Sequence, residues 1–87
     1  MEKVQMQLFG GYRKYIPSGR LEIDLSLPIQ INELKIQFAA AIKRQCPDFS
    51  DHQLIANSRF ATEAGLIEEA QPINEKKLAV LPPVCGG

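Results

Sequence analysis

A change of hydrophobic period at Pro28 restricts this chain to very few folds. Before it, Leu21, Ile23, Leu25 and Leu27 alternate with Glu22, Asp24 and Ser26, the period of two that a half-buried strand requires. After it, Ile31, Leu34, Phe38, Ala41 and Ile42 recur every three or four residues, which lines them along one stripe of a helix. Pro28 brings no backbone N–H and stops the strand. Asn32, rather than Gln30, is the expected N-cap, because its short side chain can accept from the first free amides. Ala39-Ala40-Ala41 favours helix and permits close packing on a sheet. Cys46-Pro47 ends the helix, since the residue before proline disfavours helical geometry. A helix with a single apolar stripe must bury it, and one such helix covers one face of a sheet.

The remaining segments supply that sheet. Val4, Met6 and Leu8 alternate with Gln5 and Gln7 until Gly10-Gly11 ends the strand. Pro17-Ser18-Gly19 is turn material, so the first two strands form an antiparallel hairpin with a long loop. Leu54-Ile55-Ala56 reads as a short strand, and Phe60 to Ile67 holds at least one turn or short strand. Lys77 to Leu81 is the last strand, closed by Pro82-Pro83. The order predicts a two-layer α+β domain, a β-grasp (ubiquitin-like) roll with a mixed sheet packed on one main helix. Its first and last strands are expected as parallel neighbours at the sheet centre. Residues 1–81 form the domain, and residues 82–87 form an extended, flexible tail ending in Gly86-Gly87.

Composition bounds what such a domain can do. A chain of 87 residues buries roughly 60–65% of its unfolded surface, enough for one modest core but not a deep catalytic cavity. Zero net charge gives no reason to expect nucleic acid or an anionic membrane as a partner. From Pro47 to Glu75 the acids Asp48, Asp51, Glu63, Glu68, Glu69 and Glu75 face Arg59 alone, a solvated acidic face. The N-terminus shows no apolar signal core, and the longest apolar run, Phe38 to Ile42, is too short to cross a bilayer. Cys46 and Cys85 have neither metal-ligand spacing nor the numbers of a disulfide framework, which fits a reducing cytoplasm. Cys46 is expected as a small buried hydrophobe, and His52 on the surface. Gly10-Gly11 lacks the Lys-Ser/Thr of a phosphate loop. No bound cofactor or metal is expected.

Two features break the pattern. Phe9 follows Leu8 and Leu81 follows Val80, so strict alternation turns both away from the core. In parallel neighbouring strands they come together at one end of the open face. The second exception is the tail, Pro82-Pro83-Val84-Cys85-Gly86-Gly87. Its prolines cannot continue a central strand and favour extended polyproline geometry. Val84 and Cys85 are small, and two glycines leave bare backbone able to thread a narrow channel in another protein.

The stretch Leu78-Ala79-Val80-Leu81-Pro82-Pro83-Val84-Cys85-Gly86-Gly87 resembles the ending of the small, sulfur-carrier subunit of molybdopterin synthase, a ubiquitin-fold family. The first strand with Phe9, the helix from Ile31 and the Ala56-Asn57 strand end fall where that family has them. Asn74-Glu75-Lys76-Lys77 departs from the acidic, glycine-containing turn usual before the last strand. The resemblance implies a carrier cycle rather than an active site. An adenylyltransferase of the ubiquitin-activating type adenylates the Gly87 carboxylate with ATP, and a sulfur donor protein converts it to a thiocarboxylate. Residues Pro82, Pro83, Val84, Cys85 and Gly86 then enter the large synthase subunit in a heterotetramer, and sulfur passes to the pterin precursor of the molybdenum cofactor. It further implies hydrophobic partner contacts at Phe9, Phe60 and Leu81 and a basic one at Arg13. A carrier for thiamine or another metabolite would use the same Gly-Gly end. So would a ubiquitin-like modifier forming isopeptide bonds through Gly87.

Overall fold

Strand β1, Glu2–Leu8, leads into a short 3-10 helix, Gly10–Lys14, and strand β2, Arg20–Leu25, returns antiparallel beside β1. The computed structural model describes residues 1–68 and 70–83. Helix α1, Ile31–Gln45, is followed by a one-turn helix α2, His52–Ala56, and by strands β3, Arg59–Thr62, and β4, Gly65–Leu66. Strand β5, Lys77–Leu81, completes a five-stranded sheet in the order β2-β1-β5-β3-β4. β5 runs parallel to β1, with Leu8 opposite Val80, and antiparallel to β3. This is the β-grasp arrangement, and its two central strands are the first and last of the chain, as the sequence led us to expect.

The core lies between the sheet and α1. Val4, Met6 and Leu8 of β1, Leu21, Ile23 and Leu25 of β2, and Leu78 and Val80 of β5 are all buried. They meet the helical stripe Ile31, Leu34, Phe38, Ala41 and Ile42, every member of which is buried. Phe38 stands at the centre, 5.5 Å from the Tyr12 ring and 6.0 Å, edge to face, from Phe60. Such aromatic pairs add roughly 0.5–1.5 kcal/mol beyond the area they bury. Cys46 caps α1 and is half-buried against the core, and His52 is exposed beside Phe49.

Three local expectations are corrected. The residue preceding α1 is Gln30, not Asn32, and its side chain makes no capping bond. Ile29 is held just before it by a paired antiparallel bridge to Ile73, with N···O distances of 2.9 and 2.7 Å, so the chain enters the helix already fixed. The run Leu54-Ile55-Ala56 is helical rather than a strand. The Asp51 carboxylate accepts from the Leu54 amide at 3.1 Å, an N-cap that starts a helical turn, and Ile55 alone is buried. The Ala56-Asn57 strand end expected from the family resemblance is accordingly a helix terminus, whose last carbonyl, Ala56 O, accepts from Lys35 Nζ at 2.9 Å.

One buried polar group ties these parts together. The Tyr12 hydroxyl hydrogen-bonds with Ser58 Oγ and donates to the Leu54 carbonyl, so the loop after β1 is fastened to the segment between α2 and β3. Burial raises the Tyr12 pKa to about 12; the Ser58 bond acts in the opposite direction, and nearby Asp51 adds to the rise.

Candidate functional site

Register decides which side chains reach the open face. Leu8 lies opposite Val80 in parallel strands, so the next residues, Phe9 and Leu81, stand side by side beyond them. Phe9 keeps an extended backbone (φ −130°, ψ 163°) and therefore continues the alternation of β1 away from the core. It is 38% exposed, and Leu81 is half-buried. The pattern-based pairing of these two residues at one end of the open face matches the architecture.

The pairings extend this apolar area in a direction the sequence did not suggest. Ala79 lies opposite Ala61 in β3, and Ala61 opposite Leu66 in β4, all on the face that carries Leu81. Leu66 is 55% exposed. The result is a patch with Phe9, Leu81 and Leu66 around two small alanines. Arg59 lies opposite Leu81 and puts a positive charge at its border. None of the four additions, Ala79, Ala61, Leu66 and Arg59, could be read from composition or period, because they depend on which strands β5 and β4 join.

Arg13 sits in the 3-10 helix that directly follows Phe9, with its guanidinium laid across Gly19; a Cβ built on Gly19 would lie 3.1 Å from Arg13 Nε. It is exposed and available to a partner. Phe60 is not. It is fully buried, pairs with Val80 on the core face and packs on Phe38. The expectation of a partner contact at Phe60 is therefore corrected: β3 parity turns Phe60 in and its neighbour Arg59 out.

The tail begins beside the patch. β5 pairs through Leu81, and Pro82, half-buried, follows directly against Gly10 at the end of β1; Pro83 is exposed. Two successive prolines remove the amides that further pairing would need. The expected tail residues Val84, Cys85, Gly86 and Gly87 lie outside the described residues.

Among the described residues, no group of three His, Cys, Asp or Glu side chains could hold a metal ion. Among the same residues, no helix is long and apolar enough to cross a membrane. The Tyr12 hydroxyl is enclosed by Ser58 and Leu54, away from any approaching reagent.

Comparison with known proteins agrees with the architecture. No family model matches the chain. It is 34% identical over 85 residues to the molybdopterin synthase sulfur carrier subunit of Synechococcus elongatus, covering 91% of this chain and 90% of the relative. Among solved structures it resembles SAMP1 from Haloferax volcanii, with a TM-score of 0.67 at 17% identity over 99% of this chain and 100% of the other. It also resembles molybdopterin converting factor, subunit 1, from Pyrococcus furiosus, with a TM-score of 0.64 at 19% identity over 97% and 100%. The structural likenesses bear on the fold alone. The sequence likeness, spanning nine-tenths of both proteins, identifies the chain as a member of the molybdopterin synthase sulfur carrier subunit family.

Proposed function

We propose that this protein is the small subunit of a molybdopterin synthase and that Gly87, read as the C-terminal residue, carries sulfur as a thiocarboxylate. The observation that supports this reading best is positional: the last strand is central in the sheet, and it releases Pro82-Pro83 beside an apolar patch with a basic border. A body docked through that patch brings its own tail to the partner.

The chemistry explains why the tail must be activated first. A terminal carboxylate has a pKa of roughly 3.3–3.7 and is ionised at neutral pH, so it is a poor electrophile. In a ubiquitin-activating-type adenylyltransferase, the Gly87 carboxylate oxygen attacks the α-phosphorus of ATP and pyrophosphate leaves. A sulfur nucleophile at the oxidation level of sulfide, delivered by a donor protein, adds to the acyl carbon and expels AMP. The thiocarboxylate tail then enters the large synthase subunit, and its sulfur attacks a carbon of the pterin precursor of the molybdenum cofactor, where the new C–S bond replaces a C–O bond and the oxygen substituent leaves. Hydrolysis of the acyl–sulfur bond leaves sulfur on the pterin and regenerates the carboxylate. In this scheme Phe9, Leu81 and Arg13 dock, residues 82–86 thread, and the partners supply acids, bases and the ATP site. A reducing cytoplasm is the compartment that suits these intermediates.

Intact mass of the protein purified from its own host tests the reading. Exchange of one oxygen for sulfur at Gly87 is expected. Its absence, even with ATP, activating enzyme and sulfur donor, would overturn it, and adducts on lysines would point to a protein modifier instead. Removal of Gly87 should abolish cofactor synthesis and leave thermal stability unchanged. Continued synthesis by the shortened protein counts equally against the proposal.

A further inference from the structure

We infer that Gly10 is a positioning residue for the tail: its bare backbone is a seat for the Pro82 ring, and the seat sets the direction in which the chain leaves β5. This rests on the reading of the tail as the reacting segment. Gly10 adopts a left-handed backbone, φ +60°, and a Cβ built on it would lie 2.7 Å from Pro82 Cγ. That is closer than non-bonded carbons approach, so a glycine is required for the ring to lie where it does. The other glycines with positive φ among the described residues have different surroundings. Gly65 has nothing within 4 Å, and Gly19 lies beneath the flexible Arg13 side chain.

The seat is built on a firm base. Gly11 packs against the Leu54 methyl groups, each 3.9 Å from where its Cβ would be, and Tyr12 is fully buried with its hydroxyl bonded to Ser58 and Leu54. On the other side, Leu81 is held by pairing with Arg59. Pro82 is thus fixed by the strand behind it and the glycine beneath it, and its own ring locks φ. A tail aimed before docking reaches the activating site without a search through other directions, which matters because small misplacements of a reacting group lower rates steeply. Docking of the body through the open-face patch determines affinity, and the seat determines how often a docked tail is productive.

The test uses four full-length proteins: wild type, Gly10→Asn, Pro82→Ala and the double variant. Asn accepts a left-handed backbone better than other side-chain-bearing residues, so Gly10→Asn introduces the Cβ with the least backbone strain. Each is assayed for ATP–pyrophosphate exchange by the adenylyltransferase over a range of carrier concentrations, with thermal unfolding in parallel. Gly10→Asn should lower kcat about tenfold with KM nearly constant. In the Pro82→Ala background, which lacks the Cγ that the new Cβ would strike, Gly10→Asn should have no further effect. An unchanged kcat, a loss confined to KM, or equal losses in both backgrounds would overturn the inference. If Gly10→Asn fails to fold, Pro82→Gly decides: wild-type kcat in that variant removes any role for the seat. In the wild-type protein, a nuclear Overhauser contact between Gly10 Hα and the Pro82 ring is expected, and its absence rejects the seat directly. Failure of the carrier reading looks different, since wild type itself would then show no exchange, and a positioning role would fall with it.

Discussion

Phe9 and Phe60 lie near the same point of β5 on opposite faces of the sheet. Phe60 pairs with Val80 and points into the core; Phe9 follows Leu8, the other partner of Val80, and points out. The same side chain therefore meets two environments within one short stretch of sheet. Phe60 has Phe38 edge to face and no exposed surface, whereas Phe9 is 38% exposed beside the start of the tail. A residue type says little about its role; strand parity encloses one phenylalanine in the core and leaves the other on the open face.

The largest effect should come from breaking the inner half of that pair. Phe60→Ala removes a fully enclosed ring, and such changes destabilise by about 3–5 kcal/mol. Denaturant unfolding should show a midpoint shift of that order with little change in slope. A loss below about 1 kcal/mol would mean that Phe60 is not the packed residue described.

Next in size is a pH effect on the group that braces the end of the sheet. The folded Tyr12 has a pKa of about 12, above its ordinary value of 10.0. Below pH 10 both folded and unfolded chains keep the proton, and stability is fully present. Above it the unfolded chain releases the proton first, so stability falls as pH rises from 10 through about 12, by up to about 3 kcal/mol. Tyr12→Phe should remove this component of the alkaline loss while destabilising the neutral protein by about 1 kcal/mol through the lost hydrogen bonds. Identical alkaline profiles for the two proteins would contradict the assignment.

How far the sequence reveals these roles depends on the range of the interactions that fix them. The strand ending at Leu81 and the buried stripe from Ile31 to Ile42 follow from periods within single segments, and both are met, although the helix itself begins two residues earlier than a cap at Asn32 would place it. Three apolar residues at Leu54-Ile55-Ala56 have no readable period, and the deciding signal is the Asp51 cap three residues before Leu54. The family likeness implies a partner contact at Phe60, against which stands the pairing of β3 with β5, a contact remote in sequence. Gly10 looks like a mere strand end until Pro82, seventy-two positions away, is found lying on it. Ala61 and Leu66 joined the patch through sheet order alone.

The outer half of the pair gives the third effect, on binding rather than folding. Phe9→Asp should change stability by less than about 0.5 kcal/mol and weaken binding of the large synthase subunit at least tenfold, as expected for an aromatic anchor worth about 2 kcal/mol. Calorimetric titration beside thermal unfolding separates the two quantities. Unchanged affinity would remove Phe9 from the docking surface and leave the patch without its aromatic member.

Ile36 supplies the smallest effect and the sharpest control. It is 62% exposed, more than Phe9, but it belongs to α1 and to the side of that helix opposite its buried stripe. If exposure of an apolar group were enough to make a contact, Ile36 would be the better anchor. Isolated exposed hydrophobes are common and carry no such meaning, whereas Phe9 adjoins Leu81 and the first proline of the tail. Ile36→Ser exchanges residues of similar helix propensity, so both unfolding and large-subunit binding should match wild type within about 0.3–0.5 kcal/mol. A loss of binding comparable to that of Phe9→Asp would place the partner on the helix layer. The tail would then emerge on the face away from the docked body, and threading Gly87 into the partner would require a geometry that the Pro82 seat does not provide.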